Sequence, residues 1–307
     1  MPLPHTRRPA LALPLLLAGA CALPAAPAPS HEGRPPPAPT QQVRRLVLPF
    51  DAYQLSLAEY YTLSAARDRL IRTCLGRLGG EWPVIDRPAK AVEWKNRRRY
   101  GVIETAVAAR FGYHAPQNVL SPYPAVVQRE EQREAALSPQ ARKAALDSHH
   151  GCALTADRQL LRGTDADERK LDTLDATAFK QSRSAPSVKK AQQAWRTCMR
   201  EEHHPYTSPE AALNDARWWK EDAAAGSSEE KADTSAGASD EEIATAKADV
   251  RCKQRTDFAQ TWFTAEKTLQ EKALRQHAHY FSALKTAKLR QLRTARAVLN
   301  AGGDGGR

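Results

Sequence analysis

Five cysteines carry the most reactive chemistry in this 307-residue chain, and their spacing sorts them into two kinds. Cys74, Cys152, Cys198 and Cys252 are widely separated, with no pair at the C-x-x-C spacing of a redox or zinc site. An even number of such thiols in an exported chain reads as a disulfide framework. Four cysteines allow three pairings. Sequence alone does not choose among them; the preferred pairing is Cys74–Cys152 with Cys198–Cys252, because a compositional change near residues 180–186 divides the body between the pairs. Loops of that size make each bridge worth about 4 kcal/mol on the chain-entropy view.

Cys21 belongs to different chemistry. Arg7 and Arg8 precede the apolar stretch Pro9 to Leu17, and the small residues Ala18, Gly19 and Ala20 lead into Cys21. A positive start, a short apolar run and a small-residue exit make a secretory signal, too short to remain as a membrane-spanning helix. A cysteine at the exit resembles a bacterial lipoprotein signal, in which the thiol receives a diacylglyceryl group. The expectation is therefore a signal peptide over 1–20 and lipid attachment at Cys21. Simple cleavage and secretion is the alternative. Residues 21–42 are rich in Pro and Ala and read as an extended tether, spanning about 60 Å at some 3 Å per residue.

Two further clusters invite a binding reading. Arg97, Arg98 and Arg99, followed by Tyr100 and Gly101, are the densest basic segment and a candidate anion-binding site; a surface loop with a buried tyrosine is the plainer account. Glu201, Glu202, His203 and His204 hold metal-ligating groups, but adjacent side chains diverge on a helix and Pro205 marks a helix end. A charged, solvated terminus is expected there, and no metal site is assigned. The chain has no G-x-S-x-G elbow, no H-E-x-x-H and no glycine-rich phosphate or dinucleotide loop. No catalytic residue, enzyme activity or cofactor is expected.

The elements that position these residues read as helices. Apolar residues at Leu55, Leu63, Ala66, Leu70, Cys74 and Leu78 follow one helical face, stopped by Gly79-Gly80. Ser138-Pro139 and Ser208-Pro209 are cap-and-proline starts, and Ser239 with Glu242 has the spacing of a capping box. Val188 to Glu201 is a helix carrying Trp195 and Cys198. A short strand is conceivable only around Arg45 to Phe50. The fold expected is mainly α, with little or no β: an N-terminal helical region over 43–180 and a C-terminal one over 187–300. A flexible insertion is expected at 221–240 and a disordered tail at 301–307.

Helical pattern continues from Ser239 almost to Asn300, a rod of about 90 Å if unbroken. Phe258, Trp262, Ala265, Leu269, Ala273, Gln276, Tyr280, Leu284 and Ala287 repeat every eleven residues, a nearly straight stripe. Such a stripe either packs on its own domain or projects toward a partner through Trp262, Leu269, Tyr280 and Leu284.

Without Arg7 and Arg8 the chain keeps 44 of its 46 Lys and Arg against 35 Asp and Glu, a net charge of about +9. On an exported protein the matching partners are an anionic wall polymer, anionic lipids or an acidic envelope protein. Basic residues interleaved with acids along helices do not suggest nucleic acid.

The segments Leu48-Pro49-Phe50-Asp51-Ala52-Tyr53, Arg99-Tyr100-Gly101-Val102, Phe111-Gly112-Tyr113-His114, Trp195-Arg196-Thr197-Cys198-Met199 and Asp249-Val250-Arg251-Cys252 resemble those of a group of uncharacterised actinobacterial exported lipoproteins. The resemblance implies export, a lipid anchor and bridged cysteines, and no mechanism. The function expected is a non-enzymatic, envelope-anchored interaction or adaptor module working through its long helix. The alternative is a binding module for an anionic cell-wall polymer or a small ligand.

Overall fold

The structure, a computed structural model, describes residues 37–88, 90–115, 120–164, 168–219 and 238–301. The expected signal peptide, Cys21, most of the tether, most of the 221–240 insertion and the tail beyond Ala301 lie outside these residues.

Side-chain caps set where many of the helices begin. Thr40 opens α1 (Gln41–Arg45), and Ser56 opens α2 (Leu57–Arg77), where Glu59 reaches back to the Ser56 N–H to complete a capping box. After α3 (Thr105–Phe111) and α4 (Tyr123–Ala136), Ser138 caps α5 (Pro139–Leu146). The chain continues through α6 (Cys152–Leu160), α7 (Glu168–Arg183) and α8 (Pro186–Glu201). Ser208 caps the short α9 (Pro209–Leu213), and Ser239 caps α10 (Asp240–Arg255). In each of these five caps the side-chain oxygen accepts an N–H that the first turn leaves without an intrahelical partner.

No strand occurs among the described residues. The strand considered for Arg45 to Phe50 is replaced by the end of α1 and a 3-10 turn at Pro49–Tyr53, where the Asp51 carboxylate accepts the Leu48 N–H at 2.8 Å.

The helical pattern over 240–300 is realised as three helices rather than one rod. Asp257 takes a left-handed conformation, φ +50°, between α10 and α11 (Phe258–Gln276). His277 leaves helical geometry between α11 and α12 (Ala278–Asn300). These breaks let the apolar stripe turn inward. Helix α11 packs on α7 and α8, while α12 packs on α2, far upstream in the chain. Phe258, Trp262, Ala273, Leu284 and Ala287 are buried, and Leu269 and Tyr280 are half-buried.

Disulfides join Cys74 to Cys152 and Cys198 to Cys252. The first ties α2 to α6 beside a core of Ile71, Leu75 and Trp82. The second ties α8 to α10 within a core of Trp195, Met199, Ala246 and Val250. Each lies near a buried tryptophan–aspartate hydrogen bond: Trp82 Nε1 donates to Asp68 at 2.9 Å, and Trp195 Nε1 donates to Asp249 at 2.9 Å. Asp68 also holds Arg87 and Arg133, and Asp249 holds Lys253, so neither buried carboxylate is left uncompensated.

Among the described residues the body already makes contacts at Pro37, inside the stretch read as tether. Arg97 donates to the Pro37 carbonyl at 2.7 Å, and the Thr40 N–H donates to Glu104 at 2.9 Å.

Candidate anion-binding face

The three arginines singled out by sequence are turned inward around the buried Tyr100, each engaged by the body. Arg97 Nε donates to Glu104 at 2.6 Å, and both side chains are buried. Arg99 pairs with Asp175 at 2.9 Å and with the fully buried Glu266, which also accepts the Tyr100 hydroxyl at 2.8 Å. Arg98 donates to the Tyr113 and Ala115 carbonyls. Buried carboxylates claim two of these guanidinium groups, because a buried charge without a partner is costly.

The candidate partner stripe is also largely spent on the interior. Trp262 stacks on Phe179 and donates its indole N–H to Ser182 at 2.8 Å. Leu284 belongs to a core with Phe50, Leu171 and Phe281. Tyr280 lies at the edge of that core with Lys170 over its ring, which leaves Leu269 as the stripe's other half-covered member.

At the Glu201–His204 cluster the charges are used in pairs. Glu202 meets Arg251 at 2.6 Å, Glu201 meets Arg255 at 3.4 Å, and His204 Nδ1 lies 3.1 Å from the Thr245 hydroxyl. Among the described residues no group of three or more His, Cys, Asp or Glu is placed to hold a metal ion.

The free charge gathers elsewhere, on the solvent side of α12. Between Lys272 and Ala301 there are seven Lys and Arg and no Asp or Glu. Phe281, Leu284, Ala287, Leu292 and Ala295 hold one side of α12 against the body. Helical periodicity then carries Lys285, Leu289, Arg293 and Arg296 onto the opposite side, where all four are exposed. Lys285, Arg293 and Arg296 have no partner among the described residues and span about 16 Å of helix.

Two neighbouring cations are fixed rather than free. Lys288 pairs with Glu59 at 2.9 Å and donates to the Gln54 carbonyl at 2.7 Å. Burial by itself raises the Glu59 pKa, but the Ser56 N–H and Lys288 outweigh it and hold the carboxyl below its usual value. Arg290 donates to the Gly163 carbonyl at 2.5 Å, which seats the exposed Leu161-Arg162-Gly163 turn against α12.

A groove of about 370 Å³ runs along this face, lined by His279, Ser282, Thr286 and Arg290 with Gly163 at its edge. No carboxylate lines it among the described residues. Leu289 and Leu161, 45% and 50% exposed, add apolar contact to the surrounding basic surface. Such a face concentrates anions by its summed field and offers guanidinium groups that grip phosphate or carboxylate in forked geometry.

The signal for this face was present in the sequence. The description of basic residues as interleaved with acids holds up to Glu271 and fails for the thirty residues after it. No described helix is long and apolar enough to cross a membrane. Comparison with protein-family models, curated proteins and solved structures finds no match.

Proposed function

We propose that this protein is an exported, non-enzymatic binding module that holds an anionic cell-wall polymer on the exposed face of α12, tethered to the membrane through lipid on Cys21. The stretch of α12 without Asp or Glu, with three cations that have no partner among the described residues, carries the reading. The leader pattern and the two disulfides support export, since long-lived bridges belong to oxidising compartments. A chain of phosphate or carboxylate groups matches a line of cations better than a single ion does, because weak contacts along one polymer add.

Polyphosphate and purified anionic wall polymer are the probes, with affinity read by calorimetry at several salt concentrations. Replacing Lys285, Arg293 and Arg296 together with Glu should weaken binding about 100-fold or more, taking about 1 kcal/mol per cation at an anionic surface. Added salt should weaken binding by the wild-type protein. Equal affinity in wild type and triple variant sinks the reading.

The exposed Leu161 and Leu289 favour a second reading, an adaptor that docks an acidic envelope protein on the same face. Crosslinking on intact cells separates the two. A reproducible protein partner that the triple variant loses supports the adaptor, and recovery with wall polymer supports the first reading.

A further inference from the structure

A second site lies away from α12 and shares no lining residue with the groove there. A cavity of about 210 Å³ opens between the Arg98–Val102 loop, the C-terminal part of α7, α9, and the facing sides of α10 and α11. It is smaller than the roughly 300–1,000 Å³ of pockets that take drug-sized ligands. Its occupant must be small.

Charged groups that are almost wholly buried line one part of it. Lys253 is 3% exposed and Asp249 is 0% exposed. The Lys253 ammonium donates to Asp249 at 2.7 Å and to the Val102 carbonyl at 3.1 Å. An ammonium has three N–H donors, so one remains without an acceptor among the described residues. Asp249 is itself held by Trp195 and has no freedom to turn. Gly101 keeps the space beside the ammonium open: at φ +80°, a Cβ there would stand 2.7 Å from the Lys253 nitrogen.

Around the cavity four cations meet four carboxylates, but the pairing is uneven. Lys253 is balanced by Asp249, Arg99 by Glu266 and Asp175, and Arg183 by Glu210 at 3.1 Å. Arg98 has only carbonyl partners. Burial, followed by the neighbouring Arg97, lowers its pKa from the usual arginine value, and Glu104 offsets them only in part. Phe179, Trp262 and Leu213 supply apolar wall, and Arg183, 48% exposed at its side chain, marks the mouth.

We propose that this cavity is a receptor for a small organic monocarboxylate, its carboxylate taken by the free Lys253 N–H and by Arg98 and its apolar body packed between Trp262, Phe179 and Leu213. Arg98, the cation there without a carboxylate partner among the described residues, calls for one negative charge. The apolar walls select an organic acid over an inorganic anion. This does not rest on the polymer reading, and either can fail without the other.

The test uses the full chain with its bridges intact and three probes: sodium benzoate, acetate and chloride. Calorimetry reads affinity, and indole fluorescence reports on the tryptophans, Trp262 among them. Benzoate should bind at least about tenfold more tightly than acetate, and acetate more tightly than chloride. Leu213→Trp, which fills the cavity without altering any charge, should abolish benzoate binding. Arg98→Met should weaken it about tenfold or more, the scale of one charged hydrogen bond. Circular dichroism checks each variant, and if one does not fold the other decides. A wild-type protein indifferent to all three probes overturns the proposal. So does a folded variant that binds benzoate as wild type does, or a chloride affinity equal to that of benzoate.

Discussion

Trp195 and Asp249 join α8 to α10 by a 2.9 Å hydrogen bond, one helical turn before Cys198 and Cys252 join the same two helices covalently. The two links share a spacing of three residues on each helix, so they lie side by side on facing surfaces. The hydrogen bond acts in the folded state, whereas the disulfide also restricts the unfolded chain. Their contributions therefore differ in origin.

Trp195→Phe leaves one Asp249 oxygen without its indole donor in a buried site. The expected loss is about 1–3 kcal/mol, read by urea unfolding under non-reducing conditions. Cys198→Ser with Cys252→Ser should cost about 4 kcal/mol on the chain-entropy estimate. Because the two links are neighbours, the combined variant should depart from additivity. Strict additivity would mean the links act independently.

Lys253→Met should be severe, about 3–5 kcal/mol, because it strands the Asp249 carboxylate in the interior. Burial raises the Asp249 pKa above its ordinary value even with Lys253 present. A carboxyl whose folded pKa is raised contributes stability that is present below its unfolded pKa and lost as pH rises through the folded value. The variant should therefore lose ground against wild type as pH climbs from the acid side. Adding Asp249→Asn should recover part of the loss and flatten that dependence. A pH-independent deficit in Lys253→Met would contradict this account.

Two lysines one turn apart on α12 should behave oppositely. Lys288 is fixed to Glu59 and to the chain at Gln54, so Lys288→Ala should lower the thermal midpoint and lessen the acid sensitivity due to Glu59. Lys285 is exposed and without a partner among the described residues, so Lys285→Ala should leave the midpoint unchanged and reduce polyphosphate affinity. Thermal scans and calorimetry on the same preparations check both. Equal effects of the two substitutions on both readouts would remove the distinction between fixed and free cations.

His204 gives a second pH signature. Burial, with the nearby Arg251 adding to it, holds its pKa below the usual histidine value of about 6.5. A histidine with a depressed folded pKa contributes stability above its unfolded pKa and loses it as pH falls through the folded one. Unfolding followed from neutral pH downward should show this loss below about pH 6.5. His204→Gln should remove that component, and an unchanged profile would assign the acid transition to other groups.

The helical class, several of the caps and the cysteine pairing were legible because each has a local or compositional cause. Ser138, Ser208 and Ser239 all accept the expected first-turn N–H. The capping box expected at Ser239 is only half formed: the Glu242 carboxylate turns to the Tyr113 N–H and to His114 instead. The arginine cluster could not be placed from sequence, since what draws Arg99 inward lies 76 and 167 residues away. The bounds of α7 are not marked in the sequence for a related reason. The helix buries only Leu171, Ala178 and Ser182, too narrow and too small a face to stand out against its polar residues. The basic face of α12 was legible and was missed by averaging charge over the whole chain.

The attachment of Pro37 and Thr40 to the buried Arg97–Glu104 pair has a mechanical consequence. A load entering from the N-terminal side meets that pair and α1 first, before either disulfide is stressed. The bridges then close off spans of 78 and 54 residues, half of 37–301, from extension. Under steady tension the oxidised protein therefore yields only half the length its body contains, and a reductant releases the remainder as added contour. The oxidation state of four sulfurs thus sets how far the body can give under load.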